Sequence, residues 1–117
     1  MSDLKRLAVK YVRDLAKSSY KKDNHCSICN SLVDLEFHHY YSMTALLEKW
    51  LLKKGFKEED ILLVREEFIA EHTTHIYEDT VTLCKTCHKK LHKIYGIKPN
   101  LGTAEKQKRW VERMSNK

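Results

Sequence analysis

Leu4, Leu7, Ala8, Tyr11, Val12 and Leu15 recur at the spacing of one helical face, ringed by Lys5, Arg6, Lys10, Arg13 and Lys17. This pattern predicts an amphipathic helix over 3–18. Residues 18–25 are polar and lead into Cys26-x2-Cys29, a knuckle spacing. Val33, Leu35 and Phe37 then alternate with Leu32, Asp34 and Glu36, the signature of a half-buried strand that runs on into His38-His39-Tyr40-Tyr41. Behind Ser42, a good N-cap, the apolar positions Met43, Leu46, Leu47, Trp50 and Leu51 predict a helix over 43–54 that Gly55 ends. Glu58, Glu59 and Asp60 suit the first turn of a third helix through Ile61, Val64, Phe68 and Ile69, ending near His72 to Thr74. The β-branched run Thr80 to Cys84 predicts a second strand. His88, Leu91, His92 and Tyr95 share a helical face closed by Gly96, and beyond Pro99 a last helix runs from a Thr103 cap to Met114. Trp50 and Trp110 lie on apolar faces and are expected in the core.

Composition narrows the class. With only three glycines and one proline in 117 residues, a barrel or sandwich with many tight turns is excluded, which leaves a mostly helical α+β chain of one domain over 1–117. No apolar run approaches the roughly 20 residues needed to span a bilayer, and the first residues lack the apolar core of a secretion signal. A cytoplasmic protein without a membrane partner is expected. The net charge of +6 is unevenly spread: residues 1–22 carry +5, residues 23–79 carry −7 and residues 80–117 carry +8. Basic ends around an acidic middle suggest a positive face able to track a polyanion.

In a cytoplasmic chain, Cys26-x2-Cys29 and Cys84-x2-Cys87 read as one structural zinc site, because four thiolates close a zinc tetrahedron. His38-His39 ends a strand, while His88 follows the second cysteine pair and His92 lies one turn further. Residues four apart on a helix point the same way, so His88 and His92 can grip one cation. If the zinc ties the knuckle to the first strand, all four imidazoles meet in one groove as a catalytic or metal-binding cluster. His72 and His75 read instead as a solvated helix end.

Taken together, Cys26-x2-Cys29, Leu35-Glu-Phe-His38-His39 and Asp79-Thr-Val-Thr-Leu-Cys84-x2-Cys87-His88-x3-His92 resemble the HNH endonuclease family. The resemblance covers a core of 26–92, interrupted by a helical insertion over 42–74 and flanked by basic helices over 3–18 and 103–114. It implies a ββα-metal finger with zinc knuckles and makes the chain a divalent-metal-dependent DNA endonuclease. His39 matches the general base. His38, His88 and His92 match the ligands of the catalytic ion (Mg²⁺, Mn²⁺, Ni²⁺ or Zn²⁺), and Asp79 stands where the family has its middle Asn. In that place an Asp can accept a hydrogen bond from the base, which would raise the pKa of His39. The partner implied is double-stranded DNA, gripped mainly through phosphates by Lys5, Lys10, Lys85, Lys89, Lys93, Lys108 and Arg109. A monomer or homodimer in a bacterial or phage-infected cell fits this reading. The alternative is a zinc-stabilised nucleic-acid-binding module without catalysis.

Overall fold

The basic N-terminal stripe forms helix α1 (Ser2–Ala16) in a computed structural model that describes the backbone of residues 2–116 and the side chains of residues 8–116. Its buried side centres on Ala8, Val9, Val12 and Ala16. Small residues there let α3 (Ile61–Glu71) lie close against it. Helix α2 (Met43–Lys54) runs as expected: the Ser42 hydroxyl accepts the Ala45 N–H, and Gly55, at φ 75°, ends it in the left-handed conformation that glycine adopts freely. Met43, Leu46, Leu47, Trp50 and Leu51 are buried against Ile61, Phe68 and Ile76, so the inserted helices and α1 share one apolar cluster. Asp60 accepts the Lys57 N–H at 2.9 Å and fixes the turn that enters α3.

Strand β1 (Leu35–His39) pairs antiparallel with β2 (Thr80–Cys84), with Leu35 opposite Cys84 and His39 opposite Thr80. β1 starts later than its alternation predicts. Asp34 takes a positive φ of 53°, which turns the chain there and leaves Leu32 and Val33 74% and 65% exposed. β2 feeds directly into α4 (Lys85–Tyr95), which Gly96 ends. The last helix, α5 (Ala104–Ser115), lies behind a short turn that the Asn100 side chain caps. Thr103 does not cap it. Its hydroxyl donates to the Asn100 carbonyl at 2.6 Å and accepts from Gln107 at 3.0 Å. Leu83, Leu91, Ala104, Trp110 and Val111 join three of the cysteines in a second apolar cluster.

The architecture is a mostly helical α+β arrangement around a two-stranded antiparallel sheet. Among the described residues, no helix is long and apolar enough to cross a membrane. A single π-helical turn over Thr74–Glu78, which the sequence pattern does not announce, joins α3 to β2.

Candidate functional site

The knuckle holding Cys26 and Cys29 is shaped by its backbone. The Cys26 N–H donates to the Ser31 carbonyl at 2.8 Å, the Asn30 N–H to the Cys26 carbonyl at 2.9 Å, and Asn30 takes a positive φ of 63°. A bond from the Ser27 N–H to the Thr82 carbonyl, 3.0 Å, docks the knuckle on β2. Cys84 and Cys87 arrive from the strand end and the first turn of α4, where the Cys87 N–H donates to the Cys84 sulfur at 3.4 Å. All four sulfurs lie within 4.8 Å of one another, and those of Cys29 and Cys84 are 3.6 Å apart. Zinc–sulfur bonds of about 2.3 Å in a tetrahedron place sulfurs about 3.8 Å apart, so the donor set fits zinc. The thiols also disturb one another. Burial pushes Cys26 up, but the backbone N–H groups of Cys29, Cys84 and Ile28 outweigh it and bring it down to about 6. Burial and the neighbouring sulfurs drive Cys87 well above its ordinary value. A dication among them replaces the missing protons.

On the other side of the sheet end, His38 from β1 meets His88 and His92 from α4. His38 Nδ1 is 3.0 Å from His88 Nε2, which is 2.9 Å from His92 Nε2. The outer nitrogens decide what these short contacts mean. Gln107 is fully buried, and its amide N–H2 donates to the Tyr40 carbonyl at 3.2 Å. Its oxygen therefore faces His38 Nε2 at 2.8 Å and accepts that N–H. His88 Nδ1 donates to Glu36 at 2.7 Å. His92 Nδ1 donates to the Gly96 carbonyl at 2.7 Å. In the neutral rings all three inward nitrogens thus carry lone pairs, and three lone pairs this close repel unless a cation sits among them. Metal–nitrogen bonds of about 2.0–2.1 Å give nitrogen separations of about 2.9–3.4 Å, and the set fits a divalent ion. Burial, joined by the neighbouring imidazoles and only partly opposed by Gln107, lowers His38 to about 3, so it stays neutral.

His39 points to the opposite strand face, edge-on to Tyr20 and Phe37 with ring centroids 5.2 Å away in each case. Its Nε2 is buried without a hydrogen-bond partner among the described residues. Burial lowers it to about 4, against the Ile76 carbonyl beside the ring and with help from the Arg13 charge. A cleft of about 360 Å³ is lined by His38, His39, His88 and His92 and rimmed by Arg13.

Asp79 is not at His39. Its carboxylate accepts from His75 Nδ1 at 2.9 Å and from Lys108 at 3.1 Å, because the π-turn folds residue 75 back onto it. The expected rise in the His39 pKa is accordingly replaced by a fall. Burial pushes the Asp79 carboxyl up, but His75 and Lys108 outweigh it and hold it below its ordinary value. His72 and His75 are part-exposed at the end of α3 and in the turn after it, as expected, but each meets an aromatic ring: His72 stacks on Phe68 with centroids 4.3 Å apart, and His75 lies against Tyr41 at 4.0 Å with the planes 38° apart.

Of the expected phosphate contacts, Lys85, Lys89 and Lys93 line a shallow cleft beside His88 and His92. Lys108 is engaged by Asp79 and Glu105. Arg109 lies in a separate cleft with Tyr95 and Arg113, Lys10 pairs with Asp14, and the Lys5 side chain lies outside the described residues. Sequence reasoning passed over Glu36, Gln107 and Arg13. Two signals were available: Glu36 shares a strand face with His38 by two-residue parity, and Gln107 interrupts the apolar stripe of Ala104, Trp110 and Val111.

The chain is 31% identical over 86 residues to the putative COX1/OXI3 intron 1 protein of Saccharomyces cerevisiae, a match that covers 74% of this chain and 8% of that protein. The chain therefore spans a small part of that relative's length. No solved structure matches. The profile of the phage T5 nicking endonuclease family matches residues 1–117, and the chain belongs to that nicking endonuclease family.

Proposed function

We propose that this protein is a divalent-metal-dependent DNA endonuclease of the HNH type, in which His39 is the general base and His38, His88 and His92 hold the catalytic ion. The observation that carries this reading is the convergence of three imidazole lone pairs on one point, in the cleft that also holds His39. A neutral His39 has a lone pair available to take the proton of a water that attacks phosphorus. Arg13, exposed on the rim of the same cleft, is the cation that reaches a non-bridging phosphate oxygen. A divalent ion at the triad would neutralise charge on the scissile phosphate and on the leaving oxygen. Glu36 and Gln107 contribute by fixing the ring tautomers, as outer hydrogen bonds to metal-binding histidines do. The HNH resemblance implies 5′-phosphate and 3′-hydroxyl products. Duplex DNA is the proposed substrate, held along Lys85, Lys89 and Lys93 by phosphate contacts. Four thiolates holding zinc make the knuckle a structural support that carries α4 to β1.

The test is conversion of supercoiled plasmid to the open circle in Mg²⁺, Mn²⁺ or Ni²⁺. The His39→Ala protein should bind the metal normally and nick at least about 100-fold more slowly. Nicking at the unaltered rate by His39→Ala removes the base assignment. Specific duplex binding with no nicking in any of the three metals favours the non-catalytic binding module.

A further inference from the structure

Apart from the triad and its cleft, α2, the end of α3 and the residues after β1 enclose a second cleft of about 430 Å³. Lys49 and Lys53, one turn apart on α2, stand on its rim. The neighbouring Lys54 pairs with Glu67 and Glu71, whereas Lys49 and Lys53 have no carboxylate partner among the described residues. Tyr41 and His75 form one wall as a close, tilted pair, with ring centroids 4.0 Å apart and planes at 38°. Asp79 accepts the Nδ1 proton of His75, which leaves Nε2 for a ligand. Trp50 lines the cleft too, 4% exposed, with an indole N–H that has no hydrogen-bond partner among the described residues. Buried donors left unmade are rare in folded proteins. Glu71, at the rim, feels this N–H and Lys54 strongly enough that, against burial, its carboxyl is held below the ordinary range. The carboxylate lies near the indole N–H, which still meets no acceptor within hydrogen-bond distance among the described residues. The cleft therefore presents donors and positive charge alongside aromatic surface, with the Glu71 carboxylate at one edge.

Inorganic phosphate would use the lysines but not the Tyr41 and His75 pair. An apolar ligand would leave the lysines and the indole N–H unmet. We propose that this cleft binds one unpaired nucleotide of a DNA strand, its base against Tyr41 and His75 and its phosphate on Lys49 and Lys53. A carbonyl oxygen of the base accepts the Trp50 N–H. Stacking on aromatic side chains next to a basic rim is the usual means by which proteins hold unpaired bases. The identity of the strand as DNA rests on the nuclease reading, but the chemistry of the cleft does not. Both clefts border the segment from His38 to Leu46, so an unpaired nucleotide here belongs to the substrate path rather than to an unrelated ligand.

The probe is fluorescein-labelled hexathymidylate, with binding read by anisotropy, beside an abasic oligodeoxynucleotide of the same length. The Lys49→Ala/Lys53→Ala protein should bind hexathymidylate about tenfold or more weakly, and the abasic strand should bind the unaltered protein at least about fivefold more weakly than hexathymidylate does. Both lysines are exposed, so the double variant is expected to fold. Unchanged affinity in the double variant, or equal affinity for the abasic strand, overturns the proposal. Plasmid nicking by the same proteins separates it from the nuclease reading. Nicking together with lysine-insensitive oligonucleotide binding sinks the cleft alone. Lysine-dependent binding by a protein that never nicks supports the cleft and sinks the nuclease.

Discussion

Each histidine of the triad turns a lone pair inward because its other nitrogen is already committed as a donor, and Gln107 makes the most exact of these commitments. Gln107→Leu leaves the His38 Nε2 proton and the Tyr40 carbonyl without their partner, so calorimetric titration with Mn²⁺ should find affinity about 10–100-fold weaker. Unchanged Mn²⁺ affinity in a folded Gln107→Leu protein would mean that the tautomer is fixed otherwise. For His39 the sign of the pH effect follows from burial. Its pKa is lowered to about 4, and a cation on the adjacent His38 pushes the same way, so the base is neutral throughout the neutral and mildly acidic range. At saturating metal, nicking should therefore lack an acidic limb near the ordinary histidine value of 6.5, and a limb centred there would contradict the account. The two candidate ligand groups were legible, because Cys-x2-Cys and His-x3-His spacings put side chains that could share an ion close together. The place of Asp79 was not. Its position relative to Cys84 suggested the family's middle Asn, but its contact with His75 depends on a π-turn that no spacing rule announces.

At the scale of elements, the helix ends were readable from single residues and the start of β1 was not. Ser42 and Gly55 bracket α2 for local reasons that act within a turn. Leu32 and Val33 continue an alternating pattern that would bury Val33, but the left-handed Asp34 lies between them and the sheet, and the knuckle pulls them into solvent. Gly55 offers a clean test of its conformation, since a Cβ there meets nothing within 4 Å. Gly55→Ala should cost about 1 kcal/mol in urea unfolding, from backbone strain alone, and a neutral or stabilising result would show that the αL cap is dispensable. The π-turn offers another. Asp79 is held below its ordinary value of 3.8, so its ionised form stabilises the fold above that value, and the contribution is lost as pH falls through the lower folded pKa. The stability gap between the unaltered protein and Asp79→Asn should be present at neutral pH and narrow as pH falls below 3.8. A gap that does not change with pH would remove the charge of Asp79 from the stabilisation.

Across the whole molecule there are two apolar clusters: one joins α1 to the inserted helices, the other joins the cysteine knuckles and β2 to α4 and α5. The second cluster is small and rests on the thiols, so Cys84→Ser should lose both zinc and cooperative unfolding, and a native melting profile with one tightly held zinc would defeat that assignment. Charge separation along the chain draws attention to the basic ends, but the fold engages Lys108 internally and puts Lys85, Lys89 and Lys93 beside the triad. The number of positive charges was legible, and their availability needed tertiary contacts. The central claim, that three histidines hold the ion on which nicking depends, is tested most directly by plasmid nicking as a function of Mn²⁺ concentration for the unaltered protein and His88→Ala. The account predicts that the unaltered protein nicks and that His88→Ala needs at least about tenfold more Mn²⁺ to reach a far lower rate; an identical Mn²⁺ dependence and rate in the two proteins would contradict it.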